Sequence, residues 1–300
     1  MRVRGLLTAL LVAVAALGAA VPASSAAPAT GGRPIERISG NSHVLINPEH
    51  AGRTNWSPEQ ESSLDGRPLT IHATEPTAKP EAASAAASAS ASAKASVWVT
   101  TGRLLTGGGV CTANVVSSAN RDVIATARHC VEGGHDFAFA PGYDAGNTPY
   151  GWWTWRAAGW VDAPAPQGDT AFIVLNTKDG RHIADVVGAT GIGFNRDINN
   201  YAHIIGIPMK RDAKDEHMFW CGGQPVAGPE QPSTALIDNC IGLDGGASGG
   251  PFFVNYDQND GSAVQTGDFV TGYSWQGKWW AVSSYYRDEA YNVFNGAQHA

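Results

Sequence analysis

Charge is scarce in this chain. Of its 300 residues only 16% are Asp, Glu, Lys or Arg, against roughly 25% in an average globular protein. A basic surplus is absent: 20 Lys and Arg stand against 27 Asp and Glu, a net charge of -7. That argues against a nucleic-acid binder, which carries a basic footprint. Cysteine is scarce too, and four in a chain of 300 exclude a disulfide-dense mini-protein. Beyond the first 20 residues no stretch reaches 18 apolar residues, so no transmembrane helix is expected in the body of the chain. Phosphate loop, dinucleotide fingerprint and metal-ligand cluster are all missing. No cofactor and no metal are therefore expected, although a calcium site built from loop carbonyls would leave no sequence signature. No repeat of fixed period is present.

What is present is 43% hydrophobic residues, too apolar for a disordered chain. With 36 Gly and 17 Pro, about 18% together, turns are frequent and long helices few; the average is near ~12%. Length allows one to three domains. Arg2 and Arg4 precede an apolar run from Leu6 to Ala20 and the small-residue stretch Ala23-Ser24-Ser25-Ala26. This is the layout of a secretory signal peptide, 1–26, too short for a comfortable membrane anchor. Residues 27–81 are polar, Pro-bearing and aperiodic, and 82–96 are Ala and Ser except Lys94. The segment 27–96 reads as a pro-segment or mobile arm ending in a flexible linker. The expected mature protein is secreted and free of the membrane once the signal is removed.

From Val97 the texture changes. Val97–Thr100, Ala113–Val116, Val123–Thr126, Thr170–Leu175 and Phe269–Tyr273 are short, β-branched or aromatic runs between Gly, Pro, Asn and Asp clusters. Residues 97–300 thus read as an all-β barrel or sandwich. The four cysteines allow three pairings. Neighbour pairing, Cys111 with Cys130 and Cys221 with Cys240, is the simplest, and loops of this size stabilise by ~3 kcal/mol each. A zinc site would want tighter Cys-x-x-Cys spacing.

Three segments carry complementary chemistry. Thr126-Ala127-Arg128-His129-Cys130 places a histidine after an apolar strand. Gly168-Asp169-Thr170-Ala171 opens a buried-looking strand with a carboxylate, costly unless hydrogen-bonded. Asp244-Gly245-Gly246-Ala247-Ser248-Gly249-Gly250-Pro251 holds a serine in a tight glycine loop. A serine hydroxyl needs a base, the base needs an acid to fix its tautomer, and the oxyanion needs backbone donors. The N–H groups of Gly246 and Ser248 are the candidate donors. Residues 246–250 also satisfy Gly-x-Ser-x-Gly, but that elbow runs Ser, acid, His, and only His299 follows Ser248. The subtilisin order would need an acid well before His129. The order His129, Asp169, Ser248 is the chymotrypsin order.

On the motifs Thr-Ala-Arg-His-Cys, Gly-Asp-Thr-Ala and Gly-Gly-Ala-Ser-Gly-Gly-Pro, residues 97–290 resemble the chymotrypsin-like serine peptidases, especially the secreted bacterial branch related to glutamyl endopeptidases. The resemblance implies two perpendicular six-stranded β-barrels with the active site in the cleft between them. It implies His129 as general base, Asp169 as its orienting acid, Ser248 as nucleophile, and a Cys111–Cys130 clamp on the histidine loop. Two departures stand out. Digestive relatives carry Asp directly before the nucleophile, paired with a new N-terminus; here that residue is Ala247, so that zymogen switch cannot operate. Glutamyl-specific relatives have His where this chain has Ser274, and trypsin-like relatives have Asp where it has Gly242. A small or apolar P1 preference is the default, with Gly242, Leu243, Ser274 and Trp275 as candidate pocket residues.

Asp122, Asp136, Asp144 and Asp162 are rival acids, but none precedes so apolar a strand as Asp169. His135 and Arg128 read as exposed and solvated. Ten tryptophans are many: Trp152, Trp153, Trp155 and Trp160 cluster, as do Trp275, Trp279 and Trp280. The expected function is a monomeric secreted serine endopeptidase acting on protein or peptide. The alternatives are a catalytically silent module binding peptide or glycan through a Trp-rich surface, and an esterase using the same triad.

Overall fold

The structure is a computed structural model. It describes residues 96–300 apart from 135, 164, 229–233 and 239, the backbone of 35–39 and 42–46, and only the backbone of Trp275. The signal peptide, the linker and His135 lie outside the described residues.

Two strands lie within the segment read as aperiodic: β1 (Ile35–Ser39) and β2 (Ser42–Ile46), an antiparallel pair. Then follow β3 (Thr101–Leu105), β4 (Val110–Val115), β5 (Val123–Thr126), β6 (Ala138–Pro141), β7 (Trp153–Val161) and β8 (Ala171–Leu175). The pairing order β7-β6-β3-β4-β5-β8 returns to β7, so six strands close into a barrel by hydrogen bonds alone. β7 is long enough to serve three neighbours. Trp153 and Thr154 pair with β6, while Ala157–Val161 lies between β8 on one side and β2 on the other. The edge that β6 leaves open beyond Thr154 supplies a ladder partner for β2, a reason for strand formation that local composition does not reveal.

Leu104, Ile124, Phe139, Trp153, Trp155, Trp160 and Ile173 fill this barrel. Three of the four clustered tryptophans are thus core, each 2% exposed, and the expected Trp-rich surface is not formed there. Burial of rings of this size dominates core energetics.

The second half contains β9 (Gly191–Ile192), β10 (Ala202–Gly206), β11 (Phe219–Gly223), β12 (Val226–Ala227), β13 (Thr234–Asp238), β14 (Pro251–Val254), β15 (Val264–Trp275) and β16 (Lys278–Tyr285). Six of these run in the order β11-β10-β14-β15-β16-β13. Among the described residues the two end strands share no ladder. Their seam is closed by the Cys221–Cys240 disulfide and by Gly223 packed so closely on Ile237 that a β-carbon would lie 2.6 Å from its methyl. Both disulfides follow the neighbour pairing, each over 19 residues.

Helices are few: α1 (Val97–Thr100), α2 (Ile183–Val187) and α3 (Asp288–Ala297). α1 corrects an expectation, since Val97–Thr100 reads as strand. Its β-branched propensity loses to tertiary context: the Val97 N–H donates to Gly261 O at 2.9 Å, and Val97 is buried beside Ile205 and Phe253. α3 returns from the second barrel to cover the first, with Val293, Phe294 and Ala297 against Val123, Phe172 and Val174.

Candidate active site

His129 sits in a single 3-10 turn, Arg128–Cys130, directly after β5. Cys130 is bridged to Cys111 of β4, so the turn is covalently tied to the barrel wall. Asp169 lies two residues before β8, which pairs with β5 through Thr126↔Ala171. That pairing brings the two loops together. Asp169, 1% exposed, accepts from the His129 backbone N–H at 2.9 Å with Oδ1 and bonds His129 Nδ1 at 2.7 Å with Oδ2. The carboxylate thereby holds both the turn and the ring, and leaves Nε2 as the available ring nitrogen. The imidazole is 46% exposed.

Arg128 is not solvated as its charge suggested. Its side chain is 17% exposed, reaches both Glu132 oxygens at 3.0 Å and donates to Ala163 O at 2.5 Å. It ties the histidine turn to the segment that precedes Asp169.

Two further His–Asp pairs are seen among the described residues. His182 Nδ1 lies 2.8 Å from Asp122 Oδ2, and His217 Nδ1 lies 2.9 Å from Asp144 Oδ1. Asp122 also takes Arg156 Nη1 at 3.1 Å and the Ile183 N–H, so it anchors α2. The Asp144 pair is solvent-exposed on both sides. Neither is packed against the glycine loop. Asp162 is an exposed partner of Arg128 at 3.8 Å.

The Ser248 loop is brought to the His129 turn by backbone. Thr112 N of β4 donates to Ser248 O at 2.8 Å. A β-carbon on Gly249 (φ +77°) would collide with Thr126 Oγ1 and lie 2.8 Å from Ala127 N, the residues leading into the turn. Glycine is required there by both the contact and the angle. Among the described residues the Ser248 hydroxyl makes no hydrogen bond to His129.

The donors of this loop are divided. Gly245 N–H goes to its neighbour Asp244 Oδ1, Ala247 N–H to Asp244 O, Gly249 N–H to Phe269 O and Gly250 N–H to Ala247 O. Within 245–250, only the N–H groups of Gly246 and Ser248 have no acceptor among the described residues. In a trans peptide C=O and N–H point oppositely. Gly245 O is taken by Met209 N–H at 2.7 Å and Ala247 O by Gly250 N–H at 2.9 Å, so both free donors are turned the other way. Donors fixed in this way are what an oxyanion requires.

Of the candidate pocket residues, Gly242 is half-buried with φ +113°, while Leu243 is 1% exposed in the second core and offers no side chain to a ligand. Phe269 exchanges backbone bonds with Gly249 and Gly250, so this stretch of β15 flanks the loop. Ser274 and Trp275 pair with Trp279 and Lys278 at the far end of the β15–β16 hairpin. Ser274 is five residues beyond Phe269, about 16 Å along a strand. Cys111, His129 and Cys130 lie close enough to suggest a metal, but both sulfurs are spent in the disulfide.

The deciding comparison is with solved structures. The chain is 30% identical to protease Anisep from Arthrobacter nicotinovorans over 70% of this chain and 99% of that one, with a TM-score of 0.59. It belongs to the chymotrypsin-like serine proteases. A thermostable serine protease, AL20, from an extremophilic microorganism is 29% identical over 67% of this chain and 98% of that one, with a TM-score of 0.59. A Glu endopeptidase shares the fold at 18% identity, covering 69% of this chain and 94% of that one with a TM-score of 0.55. No family model and no curated protein matches the sequence. The two-barrel reading of this serine protease therefore stands, with the second barrel sealed by a disulfide in place of a ladder.

Proposed function

We propose that this protein is a secreted serine endopeptidase working through His129, Asp169 and Ser248. The observation that carries the reading is the doubly bonded His129–Asp169 pair beside a serine loop whose Gly246 and Ser248 N–H groups are uncommitted. Ser248 Oγ attacks the scissile carbonyl carbon and passes its proton to His129 Nε2. Asp169 stabilises the imidazolium and keeps the tautomer. The carbonyl oxygen becomes an oxyanion facing Gly246 N–H and Ser248 N–H. Collapse breaks the C–N bond, and the proton on Nε2 leaves with the amine. Water, deprotonated by His129, then hydrolyses the acyl-enzyme and restores Ser248. Asp169 is held ready for this role before substrate arrives; the Ser248–His129 bond forms on binding, as catalytic hydrogen bonds often tighten in the complex.

Peptide substrate lies along β15 at Val270–Tyr273, the stretch next to Gly249 and Gly250, with a small or apolar P1 side chain. The N-terminal region directs export and is cut within the linker to release a monomeric 97–300 domain. Two disulfides fit an oxidising compartment.

The test is a fluorophosphonate probe with peptide mapping. One adduct on Ser248, lost in Ser248→Ala and His129→Ala with the fold retained, is the expected result. Full peptide turnover by Ser248→Ala would overturn the assignment.

A further inference from the structure

The nucleophile loop carries no charge at Ala247, yet it rests on a buried ion pair. Arg103 of β3 is 0% exposed and Glu216, just before β11, is 1% exposed. Arg103 Nη2 meets Glu216 Oε2 at 2.5 Å, and Tyr143 O–H donates to the same oxygen at 2.8 Å. The guanidinium also lies 5.2 Å from the Tyr143 ring centre. This pair joins the two barrels, because Arg103 belongs to the first and Glu216 to the second.

From that pair a short strap, Ile207 to Lys210, runs beneath the loop. Four bonds fix it. Arg103 Nη1 donates to Ile207 O at 2.7 Å, and Ile207 N–H donates to Thr112 Oγ1 at 2.9 Å. Met209 N–H donates to Gly245 O at 2.7 Å, and Lys210 N–H to Glu216 Oε1 at 2.8 Å. Thr112 Oγ1 in turn donates to Gly246 O at 2.9 Å, with Arg103 Nη1 at 3.5 Å from the same oxygen. Behind them Gly206 backs onto Ala247, where a β-carbon would lie 2.7 Å from its methyl.

The consequence is directional. The Met209 bond to Gly245 O sets the plane of the Gly245–Gly246 peptide, and that plane aims the Gly246 N–H. Met209 can hold it only while Ile207 and Lys210 on either side are held, and those two are bonded to Arg103 and Glu216. Pro208 has no N–H and so donates no bond.

We propose that the Arg103–Glu216 pair is a positioning device that holds the Gly246 N–H toward the oxyanion through the 207–210 strap. This site is then assembled by charges internal to the folded chain, with no part played by a newly made N-terminus. The inference rests on the serine-peptidase reading. It gives Arg103, a buried residue of β3, a role in transition-state binding.

A peptide ester and its peptide boronate, a tetrahedral adduct former, test it in the full-length secreted protein. Arg103→Met should lower kcat by roughly 10²-fold, the scale of one oxyanion donor. Boronate affinity should fall by the same factor, while KM and the affinity for the cleaved product peptide stay unchanged. The acid limb of the pH profile should not move, since His129–Asp169 is untouched. Arg103→Lys should restore part of the loss. If Arg103→Met does not fold, Arg103→Met/Glu216→Gln removes both charges of the pair and keeps one oxygen for the Lys210 N–H, with the amide NH2 turned to the Tyr143 hydroxyl oxygen; it should fold and show the same kcat loss. Wild-type kcat and boronate affinity in a folded Arg103→Met or in the double variant would overturn the proposal alone. Failure of the wild type to label at Ser248 would overturn the peptidase reading and this proposal with it.

Discussion

The two barrels hold their shares of the candidate site by different means. The first closes through a complete ladder of six strands, and its chemistry hangs on a side chain: one buried carboxylate takes both the ring and the backbone N–H of His129. The second closes through a disulfide and a glycine contact, and its chemistry hangs on backbone: Met209 and Gly250 N–H groups tie the carbonyls behind Gly246 and Ser248. The contrast follows from what each half must orient. An imidazole rotates about side-chain torsions, so only another side chain at the right distance can fix it. A peptide N–H moves only when its plane turns, so tying the carbonyl on the far side is enough. The half built around a carboxylate is exposed to charge changes, and the half built around peptide planes to loosening of its frame.

The largest effect should come from breaking the carboxylate tether. Asp169→Asn is expected to lower kcat by ~10³–10⁴ through loss of the tautomer, with little change in Tm. Steady-state turnover beside thermal unfolding checks this.

The disulfides sharpen the comparison next. Removing Cys221–Cys240 by paired Ala substitutions should cost ~2–5 kcal/mol, more than removing Cys111–Cys130, because only the second barrel lacks a ladder across its seam. Activity should rank the other way, since Cys130 adjoins His129. Urea unfolding and kcat of the two double variants decide it.

A smaller effect concerns acid. His203 of β10 is 6% exposed, lies among Tyr201, Trp220 and Tyr256, and among the described residues has no hydrogen bond on either ring nitrogen. Burial lowers its pKa from 6.5 to about 4. The folded state favours neutral His203, so its stability contribution is whole above pH 6.5 and is lost as pH falls toward 4. At roughly 1.4 kcal/mol per pH unit the loss approaches ~3 kcal/mol. His203→Phe should flatten the unfolding free energy between pH 6.5 and 4. A wild-type slope retained in the variant would place the acid sensitivity elsewhere.

The smallest effect concerns Asp268 of β15, fully buried with Gln265 Nε2 at 2.9 Å and Tyr286 O–H at 2.7 Å on Oδ1. Burial, with Asp169 nearby, raises its pKa well above 3.8. A raised folded-state pKa is a contribution present below pH 3.8 and lost as pH rises. Asp268→Asn keeps the Oδ1 acceptor and removes that dependence, so at pH 7 it should stabilise the fold. Chemical denaturation at pH 4 and pH 7 checks that the gain appears only at the higher pH.

Much of this protein is readable as local pattern. The short apolar runs at 123–126 and 171–175 become β5 and β8, because unbroken apolar stretches bounded by turn residues are a signal that acts over a few positions. Neighbour pairing, the simplest of the three the cysteines allow, is the one formed. His129, Asp169 and Ser248 could be singled out because each sits in a motif of four to eight residues, and their order along the chain discriminated among known arrangements.

Tertiary structure decided the rest. Propensity pointed Val97–Thr100 to strand, and the anchoring of Val97 against the second barrel made it a helical turn. Nothing near residues 35–46 announces strands; the free edge of β7 supplies their partner. Of the three His–Asp pairs among the described residues, only the fold shows which lies against the serine loop. The Arg103–Glu216 pair spans 113 residues and the Thr112–Gly246 bond 134. The sequence determines which residues can do chemistry, because that is a property of side chains and their immediate neighbours. Which way a Gly246 N–H points is set by bonds between distant segments, and those exist only once both barrels have closed.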